Sequence, residues 1–463
     1  MESGRAVRRW RQSVVLGLAG SLLSCGARSE LWADEQIVAV ELCNGLDDDL
    51  DGQVDEGIAD IECGVGTCFT SAAGCVDGQP GTCTPLPPTP ESCNGLDDDC
   101  DGLVDEDLDF GLLSGPHLVA DEAWMAQGFA PTDTGLLAVW RIAFNGQAPK
   151  PNSFAQTLDG LGQPVGPARQ LLTDPVVVGP TLAPSLEGNF VVPMCRRFGT
   201  NDKPSWLVAN PMGEVVGSEH PVSGSSESCT TFDTPPQMVW TGRRHLFTWV
   251  TSTSDHVLLE SSGADGGGAQ AELVTEDGDL SVPPRLVQFG DRVALVAGLQ
   301  PEVPSASELG IWFLDLDGNV LSGPLALPDP GGSRYLQPRV AVDPDGVMLI
   351  VAPHRFDDGW IRARVAFDGT VVSPPELLPE LVTIRDLEAR PAGGFWAAGD
   401  VFDEGTYLFQ LDATGEIVAR YEVPEAAWRP ELAQRAGRVH LLYAAPSDEE
   451  QPELHSLTFG CVE

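Results

Sequence analysis

Apolar and polar positions alternate over short stretches from about residue 110 to the end of the chain, and no long stretch has helical periodicity. One sequence pattern recurs in this region: a short strand, a glycine-centred turn and then an apolar strand. Successive copies of the turn glycine are about 50 residues apart. These glycines are Gly135, Gly188, Gly242, Gly290, Gly346, Gly394 and Gly437.

A second hairpin follows most copies of this pattern, with turns near Gly318, Gly369 and Gly415. Two hairpins in each period make one four-stranded blade, and about seven such blades close a ring. The pattern therefore predicts a mainly β fold, an about seven-bladed β-propeller over residues 110–463, with six to eight blades compatible with the spacing. A long array of β-sandwiches is the alternative.

Aromatic residues and histidines of this region are expected to be structural. Six tryptophans lie in or beside apolar strands, where packing between blades is expected: Trp140, Trp206, Trp249, Trp312, Trp360 and Trp396. His245 and His440 lie on predicted strands, which favours buried structural side chains over catalytic bases.

Residues 41–109 have a different pattern, polar, acidic and rich in cysteine. Segments 41–56 and 91–106 are identical except at three positions, and each has three Asp at alternate positions, then Gly, then an Asp-Glu pair. The expected metal ligands of the two copies are Asp47, Asp49, Asp51, Asp55 and Glu56, and Asp97, Asp99, Asp101, Asp105 and Glu106.

Alternating Asp followed by Gly is the pattern of a loop that wraps a hard cation. A backbone carbonyl, at Gln53 or Leu103, would complete an all-oxygen shell together with a further acid. An EF-hand loop has Glu at its twelfth position, but here Ile58 and Leu108 occupy it. The sequence therefore predicts about two Ca²⁺ ions, with each loop closed by one acid of its Asp-Glu pair. A solvated acidic segment without metal is the alternative.

The repeated Cys-Asn-Gly-Leu-Asp-Asp-Asp segment resembles the metal-binding repeat of MopE-type bacterial surface proteins. The spacer cysteines Cys63, Cys68, Cys75 and Cys83 resemble those between such repeats. The resemblance covers residues 41–109 and implies a secreted, disulfide-bonded, metal-binding surface module. The family name is tied to copper, but residues 1–116 contain no His, and copper sites favour imidazole or sulfur ligands.

Residues 1–25 are predicted to be a lipoprotein signal peptide, and residues 26–40 a tether. A basic start and a short apolar stretch precede Leu22-Leu23-Ser24-Cys25, which resembles a bacterial lipobox. The resemblance implies cleavage before Cys25, lipidation of its thiol and, because Gly26 follows, attachment to the outer membrane or cell surface. An ordinary signal peptide is the alternative.

The formal net charge of −43 excludes nucleic acid as an expected partner, because phosphate binding needs a basic surface. Without Cys25 the chain has ten cysteines, an even number that suits an oxidising compartment. The expected pairs are Cys93–Cys100, Cys195–Cys229 and Cys43–Cys461, while the pairing of the four spacer cysteines stays open. The alternative for Cys43 is a bond to a spacer cysteine.

Two function classes fit the sequence. The first is a non-enzymatic surface lipoprotein, a binding or scaffold protein whose propeller contacts an unknown protein or glycan. The second is an extracellular hydrolase or lyase with an accessory metal-binding module, although no catalytic motif is present. Acids, His or Arg that several blades bring to one mouth of the ring would favour the second class.

Overall fold

A computed structural model describes the chain in segments. These are residues 41–92, 96–102, 108–123, 125–142, 153–172, 176–178, 182–198, 201–221, 236–250, 257–263, 270–273, 284–299, 308–328, 338–353, 360–378, 382–425, 427–447 and 452–462. The predicted signal peptide and tether lie outside these residues. In the described part no helix is long and apolar enough to cross a membrane.

The described chain divides into two compact units, residues 41–61 with 71–83, and residues 62–70 with 84 onwards. Only short elements lie between the two Asp repeats. They are β1 (Ile61–Cys63), a 3₁₀ turn (Gly66–Cys68), β2 (Thr70–Ala72), β3 (Cys75–Val76) and β4 (Gln79–Pro80). So little regular structure buries little apolar surface, and disulfides are expected to stabilise the segment instead.

The rest of the chain forms a seven-bladed β-propeller, as predicted. The first strand after the module is β5 (Phe110–Ala120). Blade 1 contains β6 (Met125–Pro131), β7 (Leu136–Arg141), β8 (Ser153–Leu158) and β9 (Pro164–Leu172). Blade 2 has an inner strand in two pieces, β10 (Val176–Val178) and β11 (Ala183–Pro184), then β12 (Phe190–Phe198), β13 (Asn201–Ala209) and β14 (Val215–Pro221).

Blades 3 to 6 are four-stranded antiparallel sheets in simple sequential order. Blade 3 contains β15 (Gln237–Trp240), β16 (His245–Val250), β17 (Val257–Ser262) and β18 (Gln270–Leu273). Blade 4 contains β19 (Arg285–Phe289), β20 (Arg292–Leu299), β21 (Glu308–Asp315) and β22 (Val320–Pro328). Blade 5 contains β23 (Arg339–Val342), β24 (Val347–Pro353), β25 (Trp360–Ala366) and β26 (Val371–Leu378). Blade 6 contains β27 (Val382–Ala389), β28 (Phe395–Val401), β29 (Gly405–Leu411) and β30 (Ile417–Glu422).

Blade 7 closes the ring with strands from the two ends of the propeller sequence. It contains β31 (Trp428–Arg435), β32 (Arg438–Ala445), β33 (Glu453–Cys461) and, as its outer strand, β5. The β33–β5 register runs antiparallel from Leu454 opposite Ala120 to Cys461 opposite Phe110. The four-stranded sheet of blade 7 is therefore complete only when β5, which precedes blade 1 in the sequence, pairs with β33.

The repeated glycines occupy the turns that the sequence predicted. Each of the seven glycines lies between the first and second strands of a blade, and Gly318, Gly369 and Gly415 lie between third and fourth strands. The second strands that follow these turns are almost continuously buried, whereas the outer strands alternate or are exposed. This is the burial expected when blades pack face to face around a ring.

The core consists of apolar layers between neighbouring blades. One layer combines Phe313 and Ile311 of blade 4 with Ile350 and Val365 of blade 5. All six tryptophans that were predicted to be structural are at most 5% exposed. His245 and His440 are also buried on strands, and burial lowers the pKa of each to about 4. They are therefore neutral near pH 7, in agreement with a structural role.

Candidate metal centre

The first Asp loop is folded by hydrogen bonds from its backbone to its own carboxylates. The Asp51 N–H donates to Asp49 Oδ1 at 3.0 Å and to Asp47 Oδ1 at 3.1 Å. The Gly52 N–H donates to Asp47 Oδ2 at 3.0 Å. Gly52 has a φ of 97°, which glycine adopts without strain. The chain therefore bends after the third Asp, as the sequence predicted.

Glu41, the first residue of the repeat, joins the two ends of this loop. Its Oε1 accepts hydrogen bonds from the N–H groups of Asp48 and Asp49, each at 2.8 Å. Its Oε2 accepts one from the Asp55 N–H at 2.9 Å. The sequence analysis did not include Glu41 among the site residues, although the recurrence of Glu at the same place in both repeats was a usable signal.

The second loop has the same arrangement of bonds. Glu91 Oε1 accepts from the Asp98 N–H at 2.7 Å and from the Asp99 N–H at 2.9 Å. The Gly102 N–H donates to Asp97 Oδ2 at 3.1 Å, and Gly102 has a φ of 96°. Two copies that differ in sequence thus fold their carboxylates in the same way, which indicates that the conformation is encoded by the shared residues.

Carboxylate oxygens converge in both loops. In the first, Asp49 belongs to two groups whose oxygens lie within 4.8 Å of one another, one with Glu41 and Asp47, the other with Asp51 and Glu56. In the second, a corresponding group contains Glu91, Asp97 and Asp99. An all-oxygen set of flexible carboxylates is the donor chemistry of Ca²⁺ sites.

Two of these oxygens are buried and have no hydrogen-bond partner among the described residues, Oδ1 of Asp97 and Oε2 of Glu56. Burial raises the pKa of Glu56, and the neighbouring carboxylates of Glu41 and Asp51 raise it further. Burial and neighbouring carboxylates likewise raise the pKa of Asp99. Crowded, unpartnered carboxylates are destabilised unless a cation neutralises them, so the residues present fit a bound cation.

Within the Asp-Glu pair of the first loop, the two acids have different roles. Asp55 Oδ1 accepts hydrogen bonds from the N–H groups of Asn44 and Gly45 at 2.8 and 3.0 Å. Glu56 instead lies with Asp49 and its neighbours. This geometry favours Glu56 as the acid that closes the loop, with Asp55 supporting its start.

The remaining predicted ligands are only partly described. The Asp101 N–H donates to Asp99 Oδ1 at 3.1 Å, as Asp51 does in the first loop. Asp105, Glu106 and Leu103 lie outside the described residues, so closure of the second loop stays a prediction. The carbonyl ligand at Gln53 also stays a prediction.

The disulfides of the module differ from the predicted Cys93–Cys100 and Cys43–Cys461 pairs, which are wrong. Cys100 is bonded to Cys68 with a Cα–Cα distance of 6.0 Å, and Cys43 is bonded to Cys75 with a Cα–Cα distance of 5.5 Å. The alternative in which Cys43 pairs with a spacer cysteine is confirmed. Cys63, Cys83, Cys195 and Cys461 are also disulfide-bonded, whereas Cys93 and Cys229 lie outside the described residues.

Backbone contacts explain the Cys68–Cys100 bond. The Thr67 N–H donates to the Asp97 carbonyl at 2.8 Å, so the 3₁₀ turn lies alongside the Asp loop. Cys100 has a φ of 66°, a left-handed backbone conformation that Leu50 shares at the same place in the first loop. The sequence could not show this contact, because it depends on a turn more than 30 residues away.

The comparisons with known proteins confirm the resemblance found in the sequence. The Cu-binding MopE family model, described as a "putative metal-binding motif", matches residues 38–56 and 86–106. These segments coincide with the two Asp repeats. No curated protein matches the chain.

Solved structures are similar to this chain at low sequence identity. The polysaccharide lyase Uly1 is 10% identical, with a TM-score of 0.50 over 77% of this chain and 93% of the other. An α-L-arabinanase from Penicillium chrysogenum is 12% identical, with a TM-score of 0.42 over 60% and 91%. A protein of unknown function from Dyadobacter fermentans is 12% identical, with a TM-score of 0.44 over 77% and 98%.

A second group of charged residues, which the sequence analysis missed, lies on the inner strands of the propeller. Arg285, Arg339, Asp386 and Glu431 belong to the first strands of blades 4, 5, 6 and 7. These residues are hard to recognise in the sequence, because each is separated from the next by about 50 positions and has ordinary neighbours.

Proposed function

We propose that this chain is an exported, lipid-anchored surface protein whose two Asp loops bind Ca²⁺ and whose propeller binds a protein or glycan ligand. The observation that supports the calcium proposal is the common fold of the two loops, with three carboxylates converging within 4.8 Å in each. Hard oxygen donors favour Ca²⁺ over copper, and the described loops contain no imidazole.

Calorimetric titration tests the calcium proposal. The metal-free, oxidised protein is expected to bind about two Ca²⁺ ions, with dissociation constants on the order of 0.1 to 1 mM as in extracellular modules. Absence of saturable calcium binding at millimolar concentrations would contradict the proposal.

The proposed lipid anchor is tested at Cys25. We expect Cys25→Ser to leave the protein unlipidated and to release it from membranes, because the thiol that would carry the diacylglycerol is missing. Acyl labelling and membrane fractionation measure the two effects. A Cys25→Ser protein that stays in the membrane fraction at the wild-type level without acyl label would contradict this assignment.

A hydrolase or lyase is the second candidate function. It is favoured by the acids and arginines that four blades bring to the inner strands, because paired carboxyl groups can serve as general acid and base. Incubation with acidic and neutral polysaccharides tests it, with new chain ends as the product. Binding without product formation would favour the non-enzymatic function.

A further inference from the structure

The charged residues of the inner strands form one group around the propeller axis, which we call the channel cluster: Arg285, Arg339, Asp386, Glu388 and Glu431. The inner strands β19, β23, β27 and β31 each lie at the free edge of their sheet and contact one another in that order. Their charged side chains therefore come from four successive blades and surround the same side of the channel.

Four members of the channel cluster lie at a similar level along the channel, whereas Glu388 pairs with Trp396, the second residue of its second strand. Arg285, Arg339 and Glu431 pair with Val296, Val351 and Leu442, each the fifth residue of the second strand of its blade. Asp386 pairs with the fourth residue of its second strand, Ala398. Matching register in blades related by rotation brings these four side chains to a similar level along the channel.

Contacts between blades hold part of the channel cluster in place. Arg285 Nε donates to the Pro338 carbonyl at 3.0 Å, and Arg339 Nε donates to the Arg385 carbonyl. Asp386 Oδ2 accepts from the Leu432 N–H at 2.7 Å. Each bond joins one inner strand to the next, so these three side chains are oriented without a ligand.

Other groups of the channel cluster have unused hydrogen-bonding capacity. The terminal nitrogens of Arg285 make no hydrogen bond to the described part of the chain. The carboxyl groups of Glu388 and Glu431 make none within the described residues either. All three side chains are half-buried.

The electrostatics of the channel cluster favour an anion. Burial raises the pKa of Glu388 to about 8, with a further contribution from Asp386. Burial and the adjacent Asp386 also raise the pKa of Glu431 well above its usual range. Burial and the neighbouring Arg339 lower the pKa of Arg285 to about 9, which still leaves it charged near pH 7. Burial raises the pKa of Asp386 as well, although the Leu432 N–H and Arg339 oppose this shift. Two arginines thus lie among three carboxyl groups whose ionisation burial opposes.

We propose that the channel cluster binds the carboxylate group of a small polar ligand. Arginine binds a carboxylate through two parallel N–H donors, and Arg285 and Arg339 present guanidinium groups from neighbouring blades. Glu388 and Glu431 hydrogen-bond the hydroxyl or ammonium groups beside the ligand carboxylate.

The carboxylate can come from a sugar acid or from an amino acid. This assignment rests on the proposed role of the propeller as a binding domain, but not on calcium binding by the Asp loops. A calcium titration of the same sample therefore distinguishes failure of this assignment from failure of the calcium proposal.

The experiment is a titration of the full-length, calcium-saturated protein with glucuronate, galacturonate and glutamate, with glucose as the neutral probe. We expect saturable binding of at least one carboxylate and none of glucose. Preference for the uronates identifies a sugar acid, and preference for glutamate identifies an amino acid. Binding of none of the three carboxylates would overturn the proposal.

Variants show whether binding occurs at the channel cluster. Arg285→Gln is expected to weaken binding by at least about 10-fold, because a charge-assisted pair contributes about 1.5–3 kcal/mol. Arg285→Lys, which keeps the charge but loses the two parallel donors, is expected to bind more weakly than wild type while melting at the same temperature. Arg420→Gln is the matched control, since Arg420 lies on outer strand β30 in an exposed ion pair with Glu404. Unchanged affinity in both Arg285 variants would contradict the assignment.

Discussion

A chain that ends at Pro452 is expected to lose the whole propeller in one transition rather than its last strand alone. The deletion removes β33, which pairs with β32 on one side and with β5 on the other. Leu454, Leu457 and Phe459 of this strand are at most 1% exposed. At about 1.5–3 kcal/mol for each buried side chain, their loss approaches the 5–15 kcal/mol that stabilises a typical domain.

Thermal unfolding followed by circular dichroism measures this effect. A chain that ends at Gly460 is the control, because it loses the Cys461 disulfide but keeps most of β33. We expect the control to unfold in a single cooperative thermal transition. The shorter chain should already be unfolded at 25 °C and should therefore show no transition on heating. A shorter chain whose transition is unchanged would show that the blades fold independently, as in an array of sandwiches.

Asp49→Asn and Asp99→Asn are each expected to remove one of the two calcium ions. Asparagine can still accept the hydrogen bond that Asp49 Oδ1 receives from the Asp51 N–H. The substitution therefore preserves the loop and removes the negative charge that a hard cation requires. Calorimetric stoichiometry should fall from about two to about one in each variant, and to none in the double variant.

The control for these variants is Asp60→Asn, which removes one exposed carboxylate beside the first loop. Asp60 belongs to none of the convergent carboxylate groups found in the described residues. The Asp60→Asn variant should bind as many Ca²⁺ ions as the wild type. An equal loss of bound Ca²⁺ in all three variants would mean that calcium binding depends on the overall charge and not on the geometry of the loops.

The propeller could be predicted from the sequence because its determinants are local. Six of the seven glycines between the first and second strands have a positive φ, among them Gly346 and Gly394, and an apolar second strand follows these turns. The place of β5 could not be predicted, because nothing in its own sequence distinguishes an outer strand of blade 7 from an ordinary strand. That pairing joins residues more than 300 positions apart.

The candidate metal site was predictable to the extent that its ligands are neighbours in sequence. Asp47, Asp49 and Asp51 alternate within one loop, so their convergence follows from the pattern. The role of Glu41 could not be predicted from the alternating Asp residues. It depends on hydrogen bonds from the N–H groups of Asp48 and Asp55, which the folded loop brings to the Glu41 carboxylate. Cysteine pairing was missed for a similar reason, because the partner of Cys43 is Cys75 of the spacer, 32 residues away in the sequence.

The most direct test of the account is competition between Ca²⁺ and Cu²⁺ for the oxidised, metal-free protein, followed by native mass spectrometry. The geometry of the loops predicts about two bound Ca²⁺ ions for each chain, retained when an equal concentration of Cu²⁺ is added. Tight binding of Cu²⁺ without any bound Ca²⁺ would contradict the account.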